Sequence, residues 1–311
     1  MPDTSSNSRL PLVVDLDGTL SRVDTLHESI LKAGIEHPAS LPGIATVLLK
    51  GKRAFKSALA EVATPDASVL PLREEVLEFI GQARSEGRRI ILATGAHRRI
   101  ADAIGARTEL FDEIFATEDE GTNLTGTAKA ALLQKRFGTH GFDYVGDSAA
   151  DIAVWRIARN GYCVGTASRS ARLARQAGVA LLHLQETTRT KPAWKAFRPH
   201  QWAKNILVFL PIVAAHEILN AEVIVPASLA FVAYCLAASL VYVLNDLLDR
   251  ESDRRNPAKA TRPIASGALS IPRSLAIAVA LAVGVVALAT VLPWRATAAL
   301  GVYLAVNAAY T

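Results

Sequence analysis

From Pro11 to Gln185, short apolar runs rich in β-branched residues alternate with longer stretches of mixed polarity. That alternation predicts a parallel sheet with helices on both faces. Strands are expected at Leu12 to Asp15, Arg89 to Ala93, Glu113 to Ala116, Phe142 to Val145, Tyr162 to Val164 and Val179 to Leu184. About 70 residues separate the first two strands, too many for one crossover helix. They read as helices near Thr25 to Lys32, Ile44 to Val62 and Leu72 to Ser85, the first two forming a helical cap over the sheet at about residues 21–70.

Beyond Gln185 the pattern changes. Gln185 to Arg198 is polar, with Pro192 inside it and Pro199 just after, and apolar stretches dominate from Trp202 onward. The predicted organisation is an α/β domain over residues 1–190, a linker and interfacial segment over 191–204, and an all-α transmembrane region of about four helices over 205–311. Val223 to Leu244 (22 residues) and Ser274 to Trp294 (21 residues) carry no acidic or basic side chain, and each is long enough to cross a bilayer. Ile206 to Ala215 is short, so it spans only as a tilted helix with Trp202 and Lys204 at the interface. Trp294, His200 and His216 also read as interface residues.

Charge sharpens the division. Residues 1–195 carry 48 acidic or basic side chains and residues 196–311 carry 15. The net charge of +5 is spread over both regions, which leaves no nucleic-acid footprint. Cys163 and Cys235 have no metal-type spacing and support neither a disulfide framework nor a zinc site. The polar start, Met1 to Arg9, and the brief run Leu10 to Val14 lack the core of an export signal. Six Lys or Arg fall between Asn245 and Arg273, and Lys191, Lys195, Arg198 and Lys204 precede the first apolar run. The positive-inside rule therefore predicts a multi-pass protein of the cytoplasmic (inner) membrane, with its front domain and this loop in the cytosol.

Candidate chemistry begins at the first strand exit, VVDLDGTL, where Asp15 and Asp17 crowd together before Gly18 and Thr19. In an open α/β sheet this edge binds ligands. Two carboxylates so close resist joint ionisation, and Mg²⁺ is the natural counter-charge. Thr94 ends the apolar strand RIILATG, Lys129 follows NLTGT, and Asp147 and Asp151 lie in YVGDSAAD. A hydroxyl, an ammonium and a metal held by acids suit one phosphoryl group. His97, Arg98 and Arg99 read as a solvated helix face.

These four segments, in this order, resemble the haloacid-dehalogenase (HAD) superfamily, over about residues 10–185. The resemblance implies a Rossmann-like α/β fold acting on a phosphomonoester. It makes Asp15 the nucleophile, Asp17 the general acid and base, Thr94 and Lys129 phosphate binders, and Asp147 an Mg²⁺ ligand supported by Asp151. The Asp15 side chain and the Asp17 carbonyl complete the metal site. The insert resembles the helical cap of small-molecule phosphatases.

A second cluster follows the 22-residue apolar run: VLNDLLDRESDRRNPAKATRP. Asn245, Asp246, Asp249 and Asp253 are spaced to share one side of a helix continuing out of the membrane. Such crowding fits Mg²⁺ bridging to a diphosphate. The run resembles the first aspartate-rich motif of the UbiA family of membrane prenyltransferases. FRPHQWAKNILVFLPIVAAH and KATRPIASG narrow this to a likeness to decaprenyl-phosphate phosphoribosyltransferases.

By that resemblance the four residues bind Mg²⁺ and diphosphate, with Lys204, Lys259 and Arg262 as anion contacts. The substrates implied are a polyprenyl phosphate and phosphoribosyl diphosphate or another prenyl diphosphate. The family has a second acidic motif on a later helix, whereas after Arg262 the only charges are Arg273 and Arg295. The chain thus reads as the N-terminal part of a longer bifunctional enzyme, phosphatase joined to transferase. Two other readings are a membrane-anchored phosphatase without transferase activity and a non-catalytic HAD module that regulates the transferase.

Overall fold

The computed structural model describes residues 10–186 and 191–310. The polar start Met1 to Arg9, residues 187–190 of the polar joint, and Thr311 lie outside the described residues. The chain divides into two compact units between residues 189 and 190.

The front unit is built on a six-stranded parallel sheet of β1 (Leu12–Val14), β2 (Ile90–His97), β3 (Glu113–Thr117), β4 (Asp143–Gly146), β5 (Gly161–Gly165) and β6 (Leu181–Gln185), in the order β3-β2-β1-β4-β5-β6. Alternation along β1 sends Leu12 and Val14 to one face and Val13 to the other. The first face packs against α4 (Glu74–Ser85) and α5 (Arg98–Thr108) through Val76, Ile80, Ile100 and Ile104. The second packs against α6 (Gly126–Phe137), α7 (Ile152–Trp155) and α8 (Ala167–Ala177) through Leu133, Trp155 and Leu173. Burial on both faces is why β1 is continuously apolar.

Between β1 and β2 lie α1 (Thr25–Glu36), α2 (Leu41–Val47) and α3 (Lys52–Val62), with a small core of their own in Ala33, Ile44, Leu59 and Ala63. The helix expected over Ile44 to Val62 is broken in two by a 3₁₀ turn at Leu48–Lys50 and by Gly51, whose φ of +102° no other residue adopts easily. The chain enters and leaves this cap through an isolated antiparallel bridge between Ser21 and Leu72. Arg22 N–H donates to Pro71 O at 2.9 Å and Arg73 N–H to Leu20 O at 2.8 Å. Arg22 and Arg73 both pair with Glu75 and Glu186 there, fixing the base of the cap to the sheet domain.

The rear unit contains α9 (Leu210–Ala214), α10 (Ala221–Leu248), α11 (Arg250–Arg255), α12 (Ile271–Val291) and α13 (Trp294–Tyr310). Among the described residues α10 and α12, with mean hydropathies of 2.1 and 2.5, are the helices long and apolar enough to cross a membrane. Small residues line their contact, Ala230, Ala233 and Ala237 beside Val285, and a Cβ on Gly284 would fall 3.1 Å from Leu236 Cδ1. Val279, Val283, Val286 and Val291 on α12 are more than 60% exposed. Such an apolar face is matched to lipid, and the protein is membrane-associated. The segment around Ile206 to Ala215 is not the expected tilted helix. Pro199–Phe209 is 3₁₀ and only the five residues of α9 are α-helical, with Pro211 at its start. Trp202 also turns inward, its indole N–H donating to Ser239 Oγ at 3.1 Å.

Candidate functional site

β1 and β4 are neighbours at the point where the strand order reverses, the crevice in which open α/β sheets bind ligands. Asp15 leaves β1 with its N–H on Val145 O at 3.0 Å, and Asp147 leaves β4 beside it. Gly18 makes this approach possible. Its φ is +77°, and a Cβ there would fall 2.6 Å from Asp147 Oδ2. Asp151 closes a capping box with Ser148, its Oδ2 accepting from the N–H groups of Asp147 and Ser148 at 3.1 and 3.0 Å.

Asp15, Asp147 and Asp151 each place a carboxylate oxygen within 4.8 Å of the others, and all three are buried. Lys129, buried on α6, donates to Asp15 Oδ1 at 2.7 Å and to Tyr144 Oη at 2.9 Å, while the Tyr144 hydroxyl donates to Asp151 Oδ1 at 2.6 Å. Arg169 reaches Asp147 Oδ2 at 2.9 Å from a half-exposed position.

The carboxylates still outnumber the cations. Burial pushes Asp15 up to about 6 despite Lys129, and burial with Asp151 nearby pushes Asp147 up to about 7. For Lys129, burial pulls downward but Asp15 and Asp151 outweigh it, and the net shift is upward. An all-oxygen, charge-deficient set of this kind fits a hard divalent cation, which would relieve the crowding.

The remaining expected residues flank this cluster. Asp17 faces the cap, its Oδ1 accepting from Thr25 N–H at 2.8 Å. Burial, then Asp24, pushes it up to about 7. Thr94 is fully buried on β2, the strand beside β1, and its Oγ1 accepts from Ala96 N–H at 3.0 Å. His97 departs from the expected solvated face. It ends β2 in a buried position, and its Nε2 lies 3.0 Å from Asp119 Oδ1. Arg98 pairs with Glu118, and Arg99 donates to Ala60 O on the cap at 3.3 Å. Tyr144 and Arg169 escaped the sequence reading. Tyr144 looks like any core aromatic of a buried strand, and Arg169 is one of several arginines on an exposed helix.

The rear acids do not share one side of a continuous helix. α10 stops at Leu248, Asp249 caps it and is exposed, and α11 restarts at Arg250. Asp246 and Asp253 are buried, and Arg262 bridges them at 3.3 and 2.7 Å. Arg198 adds a second partner to Asp246, and Lys259 lies 3.7 Å from Asp253. Asn245 is half-buried in the last turn of α10, and Lys204 is exposed on the 3₁₀ segment.

Strand order, aspartates at two adjacent strand exits and a lysine between them give the front unit the layout of an open α/β domain with an acidic crevice at its topological switch point. Residues 12–156 match the haloacid dehalogenase-like hydrolase family and residues 206–311 match the UbiA prenyltransferase family. The chain therefore joins a HAD-like hydrolase domain to part of a UbiA-family domain.

It is 37% identical to the uncharacterised protein y4nM of Sinorhizobium fredii, over 97% of this chain and 59% of that protein. The decaprenyl-phosphate phosphoribosyltransferase of Corynebacterium glutamicum is 41% identical over 37% of this chain and 36% of its own length. That of Mycobacterium tuberculosis is 44% identical over 37% of this chain and 40% of its own. The chain thus spans about three-fifths of the first relative and little more than a third of the other two.

Proposed function

We propose that this chain belongs to a membrane-held bifunctional enzyme. Its front unit hydrolyses phosphomonoesters with Mg²⁺, and its rear unit takes part in phosphoribosyl or prenyl transfer to a polyprenyl phosphate. The buried convergence of Asp15, Lys129, Asp147 and Asp151 supports the hydrolytic half most directly.

In this reading an Asp15 oxygen attacks phosphorus, the bond from phosphorus to the ester oxygen breaks, and the phosphoryl group rests on Asp15 as an acyl phosphate. Asp17, titrating at about 7, gives its proton to the leaving oxygen. Once ionised, it takes a proton from the water that attacks the acyl phosphate, which frees phosphate and restores Asp15. Thr94 and Lys129 hold the equatorial oxygens. Asp15, Asp147 and the Asp17 carbonyl, with Asp151 bracing the loop, would hold Mg²⁺, which would supply positive charge against the phosphoryl group.

For the rear unit the support is the match of residues 206–311 to the UbiA prenyltransferase family and the similarity to the phosphoribosyltransferases over 37% of the chain. Asn245, Asp246, Asp249 and Asp253 are assigned to Mg²⁺ and diphosphate, with Lys204, Lys259 and Arg262 as anion contacts. The substrates are a polyprenyl phosphate and phosphoribosyl diphosphate, or another prenyl diphosphate. A second reading, a phosphatase merely anchored by its helices, draws on the way arginines already occupy Asp246 and Asp253.

Positive-inside logic puts the front unit and the Asn245 to Arg273 loop on the cytosolic side of the bilayer. The phosphatase then removes the 5-phosphate of a phosphoribosyl lipid made on the same face. Mass spectrometry of a synthetic phosphoribosyl polyprenyl phosphate incubated with the chain and Mg²⁺ tests this. The lipid should lose about 80 mass units, one HPO₃, with wild type and not with Asp15→Asn. An unchanged lipid beside hydrolysed small phosphomonoesters would refute the lipid substrate alone.

A further inference from the structure

Across a small cavity the cap residues Ser29, Lys56 and Leu59 face Asp17, Ala96 and His97 of the sheet domain. Lys56 Nζ reaches from α3 to the carbonyl oxygen of Gly95, next to Thr94, and to Asn123 Oδ1 at 3.0 Å. Both acceptors are neutral, and the Thr117 hydroxyl lies within reach of either, 3.0 Å from Gly95 O and 3.3 Å from Asn123 Oδ1, with one proton to donate. Burial pulls the Lys56 ammonium downward, with Asp17 and Asp24 opposing. Desolvating a cation against neutral oxygens is costly, and an anion would be the better partner.

We propose that Lys56 selects the substrate by binding a second anionic group on the leaving side of the phosphomonoester. The substrate class is a phosphomonoester that carries a further anion, such as a 5-phosphopentose whose 1-oxygen is a phosphodiester. This rests on reading the Asp15 site as a phosphatase. When such a substrate enters, Nζ exchanges Gly95 O and Asn123 Oδ1 for the anion, and the Thr117 hydroxyl remains to donate to one of them. The alternative role for Lys56 is a latch that holds the cap down regardless of substrate.

Two matched probes separate these roles in the full chain in detergent: methyl ribofuranoside 5-phosphate, and the same sugar 5-phosphate with a 1-(methyl phosphate) diester. Wild type should favour the diester, and Lys56→Gln should raise its KM about tenfold or more, the scale of a charge-assisted hydrogen bond. The neutral glycoside should change less than about twofold under the same account, and Lys56→Arg should restore the preference. Equal losses on both probes, or no wild-type preference, would overturn the proposal while leaving the phosphatase intact. Hydrolysis of neither probe by wild type would remove the phosphatase reading itself.

Discussion

The two acidic clusters use the same residue type to opposite effect. In the front unit Asp15, Asp147 and Asp151 converge with one buried lysine among them, so negative charge is left over that a divalent cation could offset. In the rear unit Asp249 turns out to solvent, and Asp246 and Asp253 share Arg262. The difference lies in what each fold supplies. Two adjacent strand exits and Gly18 press the front carboxylates together, whereas a helix break and a basic loop spread and neutralise the rear ones. Spacing in sequence alone does not distinguish a site poised for a cation from an ion-pair network.

The sharpest way to break this comparison is to remove one acid from each cluster and follow Mg²⁺-dependent release of phosphate. Asp15→Asn should lower turnover about 10⁴-fold, because the nucleophilic carboxylate is gone while the shape is kept. Asp253→Asn should leave that rate within about twofold, since it lies in the other unit. Comparable losses from the two variants would end the assignment.

Stability offers the next contrast. Arg262→Met removes the partner that the buried Asp246 and Asp253 carboxylates share, leaving Arg198 on one and the more distant Lys259 on the other, and should destabilise the rear unit by about 2 kcal/mol. Thermal unfolding in detergent would register it.

The front cluster should instead respond to cation and pH. Asp15, Asp17 and Asp147 titrate at about 6, 7 and 7 when folded, above the ordinary 3.8. Between those values the folded form binds more protons than the unfolded one. These groups therefore favour the metal-free fold most at acid pH, and that contribution is lost as pH rises from about 4 to about 7. Saturating Mg²⁺, at about 100 times its dissociation constant, should restore about 2.7 kcal/mol at pH 7.5. Asp147→Asn should abolish the Mg²⁺ gain and raise the metal-free melting temperature. A smaller effect is expected of Tyr144→Phe, which removes the hydroxyl shared by Lys129 and Asp151 and should cost about 1 kcal/mol.

Much of this was readable beforehand, for physical reasons. The front strands announce themselves as apolar runs because both sheet faces are covered, and Asp15 and Asp147 stand at the strand exits where an open α/β sheet presents ligands. Less could be read where tertiary partners decide. The pairing of the buried Asp246 depends on Arg198 and Arg262, 48 and 16 residues away in the chain. The burial of His97 depends on β2 running four residues past Ala93. Lys56 carried no signal, since its partners Gly95 and Asn123 are brought to it by folding of the cap.

The central claim, that Asp15 accepts a phosphoryl group, is tested most directly by acid-quenching the Mg²⁺-loaded protein during turnover of a ³²P-labelled phosphomonoester and locating the label. The account predicts label on the peptide containing Asp15, stable in acid, released by base or hydroxylamine, and absent from Asp15→Asn. Steady hydrolysis with no labelled protein, or label that persists in Asp15→Asn, would contradict it.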